Sequence, residues 1–342
     1  MLYLTTRDKA DAFTAARALT EDRGPDGGLF VPYKFPEVQD LAELKKKTSG
    51  QATADILNLF FGTNLTGWDL DFSVGRTPVK LVPMNYRILL AEAWHNHDWD
   101  FSGSAGDLVS RVLGEDQAVS AWGWTAMRIA CLFGVFSDLV RTGAADEARL
   151  VDLAGPCGDF SMVLAAWMAR KMGLPIGTVI CSCNENSGAW DLLNYGQLHT
   201  DAPSEQTELP ECDYAVPPHL EAYIYQVLGP WQAKKFADCC TKRRIYAPAD
   251  AETQLLRQGI FAAVVSQKRT GEIISSVDQT NGLILEPYSA LAFAGLQDYR
   301  AKTGESRPAL IWSERSPARQ AALTARALGI SEEKLIARLN SK

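Results

Sequence analysis

The segment Gly155-Pro-Cys-Gly-Asp-Phe-Ser161 combines residue types that can do chemistry with a position that favours it. It lies between the apolar run Leu150–Ala154 and the start of an amphipathic stretch, so its free backbone N–H groups and a helix dipole would converge on an anion such as a phosphate. The same residues also read as a plain turn, with Gly158 supplying the bend and Asp159 or Ser161 capping the helix. A second cluster runs from Trp94 to Gly106 and holds His95, His97, Asp98 and Asp100, all metal-ligand types. They are crowded into six residues with no spacing that aims them at one point, so no metal site is assigned there. Ser102 and Ser104 are candidate nucleophiles, but an elbow of that kind needs glycine two residues before the serine, and Ser102 fills that place before Ser104. Helix capping is their simpler role. Cys183-Asn-Glu-Asn186 follows an apolar run, where polar side chains at a strand's carboxyl end either face a ligand or satisfy a loop. His199 and His219 have no partner in sequence and read as surface or core residues.

These clusters need elements to position them. Leu150–Ala154 reads as a buried strand. The stretch after the turn places Phe160, Val163, Leu164, Trp167 and Met168 on one helical stripe, closed by Gly173-Leu-Pro175. Thr178–Cys183 supplies the next strand. Farther on, Leu283-Ile-Leu285 precedes a helix over Ser289–Ala301, Ala309–Trp312 reads as a strand and Ser316–Leu328 as a helix. This alternation predicts an α/β fold with a mostly parallel sheet flanked by helices. Upstream, the turn cluster Arg23-Gly-Pro-Asp-Gly-Gly28 leads into the apolar Leu29-Phe-Val31. An N-terminal unit of helices and turns is expected over 1–70, and the α/β core over 71–342.

The chain has 342 residues, 46% hydrophobic and 22% charged, an ordinary globular composition with room for about two domains. Forty-one acidic against 34 basic side chains give a net charge of -7, which argues against nucleic acid or an anionic membrane as partner. The first residues lack a basic region followed by an apolar stretch, and no run is read as reaching the roughly 20 apolar residues of a membrane span, so a cytoplasmic protein is expected. Seven cysteines are scattered along the chain. Neither Cys181-Ser-Cys183 nor Cys239-Cys240 has a second ligand pair at zinc spacing, and all read as reduced structural thiols.

Taken in order, these segments resemble threonine synthase, a pyridoxal-phosphate enzyme of the tryptophan-synthase-β-like fold. Tyr3 to Arg7 and Gly24-Pro-Asp-Gly-Gly-Leu-Phe-Val-Pro32 are similar to the family's N-terminal hallmark. Met172-Gly-Leu-Pro175 with Asn184-Glu-Asn186 resembles its large-domain core, Glu286-Pro-Tyr-Ser-Ala-Leu-Ala292 its Pro-His-x-Ala-Val-Ala segment, and Ser316-Pro-Ala-Arg319 its His-Pro-Ala-Lys segment. The resemblance implies that Gly158, Asp159, Phe160, Ser161, His95 and Asn184 occupy cofactor-binding positions.

The departures bear on function. Aligned on Trp94-His95 and Phe101, Ser102 stands where the family carries its Schiff-base lysine, and a hydroxyl cannot form an imine with the cofactor aldehyde. The family's phosphate turn Gly-Asn-Phe-Gly falls on Gly158-Asp-Phe-Ser161, placing a carboxylate beside an expected phosphate dianion. Its Thr-Ala-His run reads Glu314-Arg-Ser316. Gly114–Val119 spans the place where the family inserts a small α/β domain of roughly a hundred residues, so that cofactor-closing lobe is expected to be missing. The expectation is a degenerate family member with no catalytic lysine and no bound cofactor, pyridoxal phosphate being held only if the family site survives. It would act by binding a phosphorylated small molecule or by pairing in a homo- or hetero-oligomer. The alternatives are a divergent lyase forming threonine from O-phosphohomoserine with Lys80 or Lys171, and a hydrolase using Ser102 or Ser104 with His95.

Overall fold

The computed structural model describes residues 1–7, 11–36, 40–69, 79–85, 87–94 and 118–341. His95, His97, Asp98, Asp100, Ser102, Ser104 and most of the Gly114–Val119 connection lie outside the described residues.

In chain order the strands are β1 (Tyr3–Thr5), β2 (Phe30–Pro32), β3 (Lys80–Asn85), β4 (Ile88–Glu92), β5 (Val151–Pro156), β6 (Ile176–Cys183), β7 (Leu198–His199), β8 (Ile245–Tyr246), β9 (Ile260–Val264) and β10 (Ala309–Ser313). Six of them form the central sheet in the order β3-β4-β10-β5-β6-β9, parallel throughout except for the antiparallel edge strand β3. The expected mostly parallel α/β sheet is therefore present. Among the described residues the other sheets are two-stranded, β1 with β2 and β7 with β8, and no second α/β lobe is seen.

Strand and helix assignments follow local chemistry. The stripe read after Gly158 becomes the helix Ser161–Lys171, which packs against β5 and β6. Pro287 opens the helix Pro287–Thr303, its missing N–H falling where no intrahelical partner exists, and Gly304 closes it at φ 72°. Two readings change. Leu283-Ile-Leu285 precedes a helix as expected, but the strand β9 had no counterpart in the reading, being a five-residue run too short to separate from a helix segment by periodicity. Ser316–Leu328 divides into a 3₁₀ turn, Pro317–Gln320, and the helix Ala321–Leu328, with the Ser316 hydroxyl accepting from the Ala318 N–H.

The helix Ala121–Arg141 corrects a further expectation. Its 21 residues are long and apolar enough to cross a membrane by length and composition. Here 83% of its most apolar window is buried, because it runs through the core between the helices Ser49–Phe61 and Ser161–Lys171. The N-terminal segment shares that core: Tyr3, Phe60 and Trp122 stack, with ring centroids 5.5 Å apart for Tyr3–Trp122 and 5.3 Å for Phe60–Trp122.

Polar groups fasten the same segment. Buried Glu221, on the helix Leu220–Leu228, accepts from Arg7 Nε and Nη2 at 2.9 Å each and from the Thr6 hydroxyl at 2.5 Å. Removing one partner of such a pair leaves a buried charge uncompensated. Arg7→Met, which strands the buried Glu221 carboxylate, is expected to lower unfolding free energy by about 3–5 kcal/mol in a urea titration and to open the chain before residue 35 to limited proteolysis.

Candidate functional site

A cleft of about 310 Å³ opens at the carboxyl ends of β5 and β10. Crevices at this end of an open parallel sheet are where α/β proteins bind ligands, because loops diverge there around free backbone groups. The turn after β5 forms its floor. Gly158 sits at φ 48°, where a Cβ would lie 3.2 Å from the Glu211 carbonyl oxygen, and Phe160 adopts φ 74° while wholly buried. Asp159 folds back so that Oδ1 accepts the Ser161 N–H at 2.9 Å and also the Ser161 hydroxyl. Asp159, just before the N-cap residue Phe160, thus closes an Asx-type turn, and a carboxylate from the chain itself occupies the N-terminal end of the helix.

Arg128 reaches this turn from the middle of the helix Ala121–Arg141. Its Nε and Nη2 donate to the two carboxylate oxygens of Glu314 at 2.6 and 2.7 Å, and Nη1 donates to Ser161 Oγ at 2.8 Å. Glu314, directly after β10, also accepts from Trp312 Nε1 at 2.8 Å. Burial opposes both charges, but their attraction outweighs it, holding the Arg128 guanidinium above and the Glu314 carboxyl below its ordinary range.

His219, which sequence alone left unassigned, stands behind the turn with its side chain 7% exposed. Its backbone N–H donates to the Asp159 carbonyl at 3.0 Å, Nδ1 lies 3.1 Å from that carbonyl oxygen and 3.3 Å from Asp159 Oδ2, and Nε2 lies 3.4 Å from the Ala121 carbonyl. Burial pushes Asp159 upward, but His219, Arg128 and the Ser161 hydrogen bonds outweigh it and keep the carboxyl below the usual range. Asp159 is ionised in this setting.

The opposite wall adds Glu211, Glu286, Tyr288 and Arg315. Arg315 pairs with Glu211 and stacks over the Tyr288 ring, 4.9 Å from its centroid. Glu286 caps the helix Pro287–Thr303, accepting from the Tyr288 N–H at 2.8 Å and from the Ser289 N–H and hydroxyl at 2.6 Å. Burial nonetheless dominates and pushes its carboxyl up to about 7. Four carboxyl groups and two guanidinium groups therefore share the lining, with no lysine among the described residues.

Gly158, Asp159, Phe160 and Ser161 of the expected site all fall at this turn. Gly158, Asp159 and Ser161 line the cleft, whereas the Phe160 ring packs into the core on Tyr223. Asn184 does not line it. Its Nδ2 donates to Asp213 Oδ1 at 2.8 Å and Thr207 Oγ1 at 3.0 Å, and its Oδ1 accepts the Asn186 N–H, pinning the loop that carries Glu211 and Tyr214. His95 and Ser102 lie outside the described residues, as does most of the Trp94–Gly106 segment. Lys80, 3.7 Å from Glu92 on β4, and Lys171, over the Trp167 ring, do not line the cleft. Arg128 was missed outright. The available signal was a guanidinium flanked by Met127 and Ile129 in an otherwise apolar helix, a position that demands a buried counter-charge.

Two measurements follow. Arg128→Met is expected to destabilise the fold by about 3–5 kcal/mol, since it strands Glu314, while pairing it with Glu314→Gln restores most of that loss in urea denaturation. Because Glu286 has a raised carboxyl when folded, the folded state holds more protons than the unfolded state between about pH 4.5 and 7, so its contribution to stability falls as pH rises through that window. The drop is about 3 kcal/mol at most, and Glu286→Gln should flatten it in unfolding curves recorded across the window.

Comparison with known proteins gives one family and one fold. The family described as threonine synthase N terminus matches residues 2–77. Human threonine synthase-like 1 is 26% identical over 200 residues, which cover 57% of this chain and 27% of that protein. The threonine synthase of Corynebacterium glutamicum is 28% identical over 114 residues, 33% of this chain and 23% of that one. The chain thus spans about a quarter of the length of these curated relatives. Among solved structures, PLP-bound threonine synthase from Brucella melitensis superposes with a TM-score of 0.81 at 17% identity, over 97% of this chain and 92% of that one. Yeast threonine synthase gives 0.80 at 17% identity, over 96% and 90%.

Proposed function

We propose that this chain, whose residues 2–77 match the threonine synthase N-terminal family, binds a small polar molecule in the β5/β10 cleft without carrying out the cofactor chemistry that the resemblance implies. The observation that carries this reading is the Asp159 carboxylate seated on the Ser161 N–H, at the helix end where a cofactor phosphate would be cradled. An ionised carboxylate there repels a phosphate dianion and already uses the donor the phosphate needs.

The rest of the lining agrees. Pyridoxal phosphate does not fit the residues present: both guanidinium groups are committed to Glu314 and Glu211, and no lysine among the described residues reaches the cleft to anchor an aldehyde. Ser102 at the aligned lysine position points the same way from sequence. The acidic excess also argues against the phosphorylated ligand that the turn's position and the resemblance suggested; it favours a ligand that donates hydrogen bonds to Asp159 and Glu211. A cleft of about 310 Å³ is at the small end of ligand sites, enough for a metabolite of amino-acid size.

An absorbance titration with pyridoxal phosphate, followed by borohydride reduction and mass mapping, tests the reading. The expected result is no imine band and no modified lysine above the background of surface lysines. A stoichiometric adduct on one lysine would overturn the proposal and return the divergent lyase. As a positive check, Asp159→Asn should raise affinity for inorganic phosphate, read by calorimetry, by removing the charge that excludes it.

A further inference from the structure

Three cysteines that the cleft chemistry does not use lie together at the same end of the sheet. Cys181 and Cys183 are two residues apart on β6 and so project from one face, while Ile180 and Ser182 project from the other. The parallel register pairs Pro156 of β5 with Ser182, and the Cys157 N–H donates to the Ser182 carbonyl at 2.7 Å, so Cys157 continues the ladder between the two. Every pair of their sulfurs lies within 4.8 Å. All three are buried, at 4%, 0% and 1% exposed for Cys157, Cys181 and Cys183, and none is in a disulfide.

We propose that Cys157, Cys181 and Cys183 form a three-thiolate site for a thiophilic d¹⁰ metal ion of the zinc class. Soft sulfur ligands select such ions, and a three-ligand set is the arrangement that leaves one coordination position open. Sulfurs around zinc sit about 2.3 Å from the metal, or about 3.8 Å from one another in a tetrahedral site, so a contraction of about 1 Å or less converts the cluster into a ligand set. Cys157 lines the cleft, which gives the ion an entry path. The sequence spacing shows no zinc motif because one ligand comes from a different strand. The cleft reading and this site are independent, since neither Asp159 nor Arg128 belongs to the sulfur cluster.

The test uses the full chain, reduced and freed of metal, titrated with cadmium as the spectroscopic substitute for zinc. One cadmium per chain should remain after desalting, with a thiolate-to-metal absorption band and a first shell dominated by sulfur in X-ray absorption. Cys183→Ser should weaken binding by more than about a hundredfold, whereas Cys239→Ser should leave it unchanged. The proposal is overturned if the reduced wild-type protein retains no cadmium, if the first shell is mostly oxygen or nitrogen, or if retention follows Cys239. The wild-type absorption spectrum decides the matter even if Cys183→Ser fails to fold.

Discussion

The ion pair between Arg128 and Glu314 is the interaction on which the cleft depends. A guanidinium in the middle of a 21-residue core helix must find its counter-charge inside the protein, and the first residue after β10 supplies it in a bidentate fork. That fork locks the long helix to the end of the sheet. The remaining Arg128 nitrogen then holds the Ser161 hydroxyl, and Ser161 in turn holds Asp159, so one buried charge sets the position of the whole turn after β5.

The consequence is a cleft whose electrostatics are satisfied from within. The N-terminal end of the helix Ser161–Lys171, with its partial positive charge, faces a carboxylate belonging to the protein, and His219 supports that carboxylate from behind. Arg315 is likewise paired with Glu211 and stacked on Tyr288. A site that recruits an external dianion leaves such donors open; here the Ser161 N–H, Arg128 and Arg315 each meet an internal acid. Glu286, buried while capping the neighbouring helix, carries the remaining charge in a form that depends on pH.

The fold was legible in the sequence wherever one element could be read by itself. The stripe from Phe160 to Met168, the apolar runs at Leu150–Ala154 and Ala309–Trp312, and the glycine and proline punctuation between them all correspond to observed elements. What failed were short or ambiguous runs: β9, and the core helix Ala121–Arg141, whose composition suits either a membrane or a core. The turn over Gly158–Ser161 was legible as an anion seat or a cap, and in the structure Asp159 closes it by accepting the Ser161 N–H. Asn184 was legible as polar and at a strand end, yet it pins a loop.

The sequence by itself determined the alternation of strands and helices and the presence of a carboxylate at Asp159, because propensity, periodicity and residue identity are local properties. Tertiary structure alone decided that Arg128 meets Glu314, that His219 backs Asp159, and that Cys157 stands beside Cys181 and Cys183. The partners in these sets lie 186, 60 and at least 24 residues apart along the chain. The register of parallel strands and the packing of a buried helix bring them together, and no spacing along the chain encodes either.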